Sequence, residues 1–183
     1  MTNTYDTTTS TTGQGRLVTG LFPDRDSAEA AYASTHGRGY DKNDVNLVMS
    51  DDTRKTHFSG SGQETELGNK AAEGAGVGGA IGGTVGAIAA AIAAVGTSLV
   101  LPGLGLVIAG PLAAAVAGAG AGAAGGGLIG ALIGWGMPEE RVKQYEQGVK
   151  DGGILMGVHA KNDEDAAHFE DQWRTSGGQQ VYR

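Results

Sequence analysis

Histidine is the side chain best suited to acid–base or metal chemistry near neutral pH, because its ordinary pKa lies close to that range. The chain has four histidines, His36, His57, His159 and His168, and they are scattered along the sequence. His159 and His168 could meet between a strand and the following helix, but this spacing is more typical of surface and sheet positions. The chain has no cysteine, which excludes thiolate metal ligands and disulfide bonds. The sequence therefore predicts no metal site.

Acidic pairs and glycine motifs are the other features that could do chemistry. The acidic runs at 51–52, 139–140 and 163–165 fit turns and helix starts, where negative charge is favourable, better than paired catalytic carboxylates. The GxGxxG spacing of dinucleotide loops occurs at 74–79 and 120–125, but neither match follows a predicted strand. Walker A and GxSxG motifs do not occur. We therefore expect no catalytic residue, no cofactor and no enzymatic activity.

Glycine spacing is the strongest pattern in the sequence. Two segments carry glycine at every fourth position: Gly74, Gly78, Gly82 and Gly86 in the first, and Gly118, Gly122, Gly126, Gly130 and Gly134 in the second. Residues four apart form one ridge on a helix, and a ridge without side chains lets another backbone pack closely. Because each glycine costs a helix about 1 kcal/mol relative to alanine, such a pattern needs compensation from packing. The spacing predicts helices that self-associate.

Charge divides the chain in the same way. Residues 74–138 form 65 consecutive positions without Asp, Glu, Lys or Arg, and they contain 20 of the 34 glycines. Between the two glycine segments lies an apolar stretch with turn signals at Pro102-Gly103 and Gly110-Pro111. We interpret residues 74–137 as a glycine-zipper helical hairpin with this stretch as its tip. Because the tip is so apolar, we expect it to be buried in lipid or inside an assembly.

The membrane and assembly alternatives both remain open from the sequence. Each arm of about 25 residues would be about 37 Å long as a helix, enough to cross a bilayer core of about 30 Å, and Trp135 could anchor it at the interface. The leading hypothesis is insertion into the inner membrane from the cytoplasmic side, with membrane lipid as partner and self-association through the hairpin. The other is a soluble cytoplasmic homo-oligomer with the hairpins at its centre. A flexible linker is disfavoured by the regularly spaced Ile and Leu residues.

The segments outside the hairpin indicate an α+β domain. Strands are predicted at 16–22, 45–50, 154–160 and 180–182, and the helices between them have three predicted buried faces. Those faces are Ala28, Ala31, Tyr32 and Thr35; Val142, Tyr145 and Val149; and Ala166, Phe169 and Trp173. Without the insertion and the helix that starts at Pro138, the order is β-α-β-β-α-β, that of a ferredoxin-like domain.

The predicted domain organisation follows from these elements. Residues 1–15 form a disordered Thr-rich tail, 16–50 the first half of the ferredoxin-like domain and 51–73 a polar linker. The hairpin at 74–137 comes next, and 138–183 supply a connecting helix and the second half of the domain. On this interpretation the hairpin is dispensable for folding.

Net charge restricts the partners. The chain carries 20 acidic and 13 basic residues, a formal net charge of −7, which argues against nucleic acid and against electrostatic docking on anionic lipid. Residues 1–15 contain no Lys or Arg and no apolar stretch, so they do not fit a cleavable signal peptide. We expect the polar parts of the chain in the cytoplasm, with the chain itself as the main partner.

Four segments in this order resemble the bacterial general stress (heat-induced stress) protein family. They are VTGLFPDRDSAEAAY, DVNLVMSDDTRKTHF, the glycine block with LVLPGLGLVIAGPLAAA, and GMPEERVKQYEQGVKDGGILMGVHA. The resemblance covers about residues 17–173. It implies a stress-associated protein whose biochemical activity is undefined, and it supplies no catalytic residues. A small-ligand sensor built on the ferredoxin-like sheet is a further alternative that rests on fold analogy.

Overall fold

The computed structural model describes residues 16–58, 99–101, 105–118, 129–130 and 132–183. Its strands are β1 (Arg16–Phe22), β2 (Val45–Ser50), β3 (Leu99–Leu101), β4 (Leu106–Ala109), β5 (Ile154–Ala160) and β6 (Gln179–Tyr182). Its helices are α1 (Arg25–Gly37), α2 (Asp51–Phe58), α3 (Pro111–Gly118), α4 (Glu139–Lys150) and α5 (Asp163–Thr175). Residues 129–130 and 132–134 are also helical. Across these ranges no helix is both long and apolar enough to cross a membrane.

The six strands form one antiparallel sheet in the order β3-β4-β2-β5-β1-β6. Strand β5 lies between β1 and β2, and its seven residues all pair with β1, from Arg16 opposite Ala160 to Phe22 opposite Ile154. The α+β class and the four predicted strands are confirmed. The first and last parts of the chain therefore interleave within one sheet.

Helices α1 and α5 cover one face of the sheet. Their buried residues include those predicted from the 3.6-residue spacing of apolar positions. Asp24 and Asn162 start the two helices, because their side chains accept hydrogen bonds from the backbone amides of Ser27 (2.8 Å) and Asp165 (2.7 Å). This face buries several aromatic side chains, among them Phe22, Phe169 and Trp173, none of which is solvent-exposed.

Helix α4, helix α3 and the described residues between 129 and 137 cover the opposite face. The core there contains Leu106, Ile108, Leu132, Tyr145 and Leu155, together with other apolar residues of β2 and α4. The predicted buried face of α4 is confirmed. Because both faces of the sheet are covered, β2 and β5 are mostly buried on both sides, and the domain has three layers.

The predicted helical-hairpin tip is wrong for the described residues between 99 and 109. They form the β3–β4 hairpin, in which β4 extends the sheet by pairing with β2 from Leu47–Ala109 to Ser50–Leu106. Leu106 to Ala109 are buried in the domain's own core, so neither lipid nor a partner chain is needed to cover them. Residues of the predicted hairpin thus contribute to the core, among them Ile108 and Leu132, and removing 74–137 would remove them. That the remaining chain folds without this segment stays a prediction.

The polar-linker prediction is wrong for residues 51–58, which form α2. Asp51 and Asp52 occupy its first turn, where their negative charges interact favourably with the helix dipole. Phe58, the last residue of α2, is buried in the core. Thr53 fixes the helix to the start of β5 by donating a hydrogen bond of 3.1 Å to the Gly152 carbonyl oxygen. The tail at 1–15 and the rest of the linker lie outside the described residues.

Candidate functional site

A bare, exposed helix face at the end of the glycine block is the candidate site. Gly130, Ile133 and Gly134 stand at positions i, i+3 and i+4 of helical backbone, so they share one face, called here the 130–134 face. A Cβ added to either glycine meets no atom of the described residues within 4 Å. Ile133 is 43 % exposed. Among the described residues, its side chain is the one large apolar side chain that is exposed to solvent.

The 130–134 face is oriented by a helix end that is anchored in the core. Gly136, with φ of 99°, allows the Met137 amide to donate to the Leu132 carbonyl (3.1 Å) and the Gly136 amide to the Ile133 carbonyl (2.9 Å). This is a Schellman motif, in which the flanking apolar residues pack together. Here those residues are Leu132 and Met137, both buried beneath the sheet face. With Leu132 turned inward, Ile133 and the glycines face outward.

Trp135, offered above as an interfacial anchor, packs its indole against strand β5. A Cβ at Gly157 would collide with the indole ring, so the tryptophan lies where that strand has no side chain. The His159 ring stands 5.5 Å away, centre to centre, at 76° to the indole plane. Trp135 therefore fixes the end of the glycine block to the domain.

Most of the predicted glycine ridge lies outside the described residues: Gly74, Gly78, Gly82, Gly86, Gly122 and Gly126, and with them Pro102 and Gly103 of the tip. Gly118 is the last residue of α3. Thus, of the nine predicted helix-packing positions, the structure brings Gly130 and Gly134 together on one face.

Gly110 and Pro111 form the turn from β4 into α3. Gly110 has φ of 96°, and a side chain there would collide with the Val45 carbonyl oxygen. Pro111 is the first helical residue, where its missing amide hydrogen costs nothing. The Leu112 amide donates to the Asn46 side-chain oxygen across 2.6 Å. Asn46 thus caps α3 from the neighbouring strand, a role indicated in the sequence only by a polar residue within an apolar strand.

The residues that could do chemistry serve structural roles where they are described. The acidic runs stand in the first turns of α2, α4 and α5, as predicted. Within the described ranges no group of three His, Asp or Glu side chains is arranged to hold a metal ion. His36 contacts the Tyr40 carbonyl oxygen through its Nδ1 at 3.2 Å. Partial burial lowers the pKa of His159.

A buried polar network joins the loop after α1 to the start of α5. The Tyr40 hydroxyl donates to Asp165 Oδ2 (2.8 Å) and accepts from the Lys161 amide (2.6 Å), while Arg38 donates to Asp165 Oδ1 (2.8 Å). Burial and the neighbouring carboxylate raise the pKa of Tyr40 to about 12. The hydrogen bond from Tyr40 is the main cause that lowers the pKa of Asp165. The network holds the loop after α1 against the start of α5. The Tyr40 hydroxyl and the Asp165 carboxylate are both hydrogen-bonded to protein groups.

Comparisons with protein-family models, curated proteins and solved structures gave no match. The resemblance to bacterial general stress proteins stays a prediction from the sequence.

Proposed function

We propose that the chain is a non-enzymatic general stress protein that self-associates through its glycine-zipper block into a homo-oligomer. The observation that carries this proposal is the 130–134 face. It combines two glycines on the predicted ridge with an exposed isoleucine, and it is held outward by a helix end fixed in the core. A second copy of the same face would cover Ile133 and bring two backbones together at the glycines.

The domain itself is, in this proposal, a ferredoxin-like unit that carries the association block. The order β2-β5-β1-β6 and its antiparallel pairing support that assignment, since this is the order in which a β-α-β-β-α-β chain builds its sheet. The β3–β4 hairpin and the 129–137 segment join the block to the same sheet. The domains would therefore surround a core made by the glycine segments.

Between the two alternatives, the position of the β3–β4 hairpin favours the assembly over insertion of the tip in a membrane. Inserting the tip would remove β4 from β2. It would also expose Val48 and Leu155, which belong to the core between the sheet and helices α3 and α4. Burial of apolar side chains of this size stabilises a fold by about 1.5–3 kcal/mol each, so extraction would be costly. We propose a cytoplasmic assembly.

Gly130→Leu and Gly134→Leu test the proposal. Each change raises helix propensity by up to about 1 kcal/mol, and the added Cβ meets no described atom within 4 Å, so we expect each variant to fold. In the assembly the new side chains would hold the two backbones apart. We expect weaker association by about 1–3 kcal/mol per site, roughly five- to 150-fold, measured by sedimentation across a concentration series.

Ala117→Leu is the matched control. It adds the same apolar side chain at an exposed helical position off the predicted ridge, and should leave the mass of the particle unchanged. A monomeric wild-type chain, or glycine variants that associate like Ala117→Leu, would show the proposed surface to be wrong. If the wild-type chain stays in the membrane fraction after carbonate extraction, lipid insertion would be favoured instead.

A further inference from the structure

A small pocket opens where the glycine block returns to the domain. Its volume is about 310 Å³, at the lower end of the range for small-molecule sites. The lining combines two rings, two apolar residues and three polar residues: Trp135 and His159, Pro111 and Leu112, and Asn43, Asp44 and Asn46. These residues come from the loop before β2 and the start of β2, the start of α3, the turn after residue 134 and β5, and all of them are described by the structure.

The aromatic wall of the pocket is fixed in place. The Trp135 indole is held over Gly157 and against the edge of the His159 ring, and it is half-buried. The ring therefore loses little conformational freedom when a ligand contacts it, which favours affinity. An indole is also the side chain that attracts cations most strongly through its π face.

Asp44 supplies the charge. It is the formally charged group among the lining residues, since partial burial lowers the pKa of His159 and leaves that ring neutral at pH 7. The Asp41 amide donates to Asp44 Oδ2 at 2.9 Å, which fixes the carboxylate. Lys161 Nζ lies 4.0 Å from the same oxygen, but that ammonium is largely exposed, sits over the Tyr40 ring and donates to the Gly39 carbonyl oxygen. Such an exposed pair is weak and neutralises Asp44 only in part.

From this arrangement we infer that the pocket binds a small organic cation, an amine or related nitrogen base with an apolar body. Its ammonium group pairs with the Asp44 carboxylate, and its apolar part contacts Trp135 and Leu112. The site is independent of self-association, because every residue that forms it belongs to one copy of the domain.

The experiment compares three probes of one shape and different charge: benzylamine, benzyl alcohol and benzoate. Each is titrated into the full chain at pH 7.5, with binding followed by the fluorescence of Trp135 and by calorimetry; Trp173 is fully buried and serves as a constant background. We expect saturable binding of benzylamine, about two- to fivefold weaker binding of benzyl alcohol, which is the effect of one exposed charge pair, and the weakest binding for benzoate.

Asp44→Asn removes the charge but keeps an oxygen that can accept from the Asp41 amide. In this variant the preference for benzylamine over benzyl alcohol and benzoate should shrink, and because that readout is a ratio within one protein, a small change in folding does not affect it. Asp52→Asn, the same substitution at an exposed carboxylate of α2, should keep the preference for benzylamine. No saturable binding, equal binding of the three probes by the wild type, or an unchanged preference in Asp44→Asn would each overturn the inference.

Discussion

Asn46 is the residue on which the junction between sheet and glycine block depends most directly. Its side-chain oxygen accepts the Leu112 amide at 2.6 Å in a buried site, so its removal leaves a buried donor without a partner. We expect Asn46→Ala to lower the free energy of unfolding by about 1–3 kcal/mol. Urea denaturation measures this loss. Asn43→Ala, an exposed change in the preceding loop, should stay within about 0.5 kcal/mol of the wild type.

Asp165 makes the stability of the domain depend on acid pH. The Tyr40 hydroxyl and the Arg38 guanidinium, against a smaller effect of desolvation, hold the pKa of this carboxyl below its ordinary value of 3.8. A carboxyl with a lowered folded-state pKa stabilises the fold fully above the unfolded value. That contribution is lost as the pH falls from 3.8 through the folded-state pKa. Part of the stability measured at pH 6 should therefore be missing at pH 3.

Asp165→Asn tests this assignment. The amide cannot ionise, so the difference in unfolding free energy between pH 6 and pH 3 should be smaller in the variant than in the wild type. Asp171→Asn, an exposed carboxylate on the same helix, should keep the wild-type difference. An identical pH dependence in all three proteins would mean that other carboxylates account for acid unfolding.

Sequence spacing predicted buried residues well where a helix has a clear apolar side. The faces of α1, α4 and α5 follow directly from positions three and four apart. Partners distant in sequence were not predictable in this way. Nothing near Tyr40 in the chain indicates that Asp165 accepts from its hydroxyl, because the two meet only after the sheet has formed.

Strand β4 is the element that gives the glycine block a role in folding. Ile108 is fully buried on the second face of the sheet, whereas Ile133 on the 130–134 face is exposed. We expect Ile108→Ala to cost about 2–5 kcal/mol of unfolding free energy and Ile133→Ala about 0.5 kcal/mol or less. Denaturation at low protein concentration compares them, since association then adds little stability. Equal losses for the two variants would contradict the docking of β4 in the sheet.

The β3–β4 hairpin was missed because its composition fits two structures. A short run of Leu, Val and Ile between Gly and Pro is equally apolar as a buried strand and as the tip of a helical hairpin, and periodicity does not separate the two in four residues. The deciding fact is the open edge of β2, which no local pattern reveals. For α2, polar composition concealed a helix whose burial rests mainly on Thr53 and Phe58.

For the molecule as a whole, the candidate site was predicted in part. The spacing of glycines pointed to Gly130 and Gly134, and both lie on an exposed face. It did not point to Ile133, because which side of that helix faces outward is decided by Leu132 and Met137 entering the core. The pocket beside Trp135 was likewise not predictable, since four separate segments converge there.

The place of β5 between β1 and β2 has a consequence for synthesis of the protein. Strands β1 and β2 leave the ribosome about a hundred residues before the strand that must separate them, and translation proceeds at about 5–20 residues per second. For about 5 to 20 seconds, each nascent chain therefore carries two apolar strands that cannot yet pair in the native order. During that interval the edges that β5 will cover are open, which is the situation in which unpaired strand edges favour aggregation.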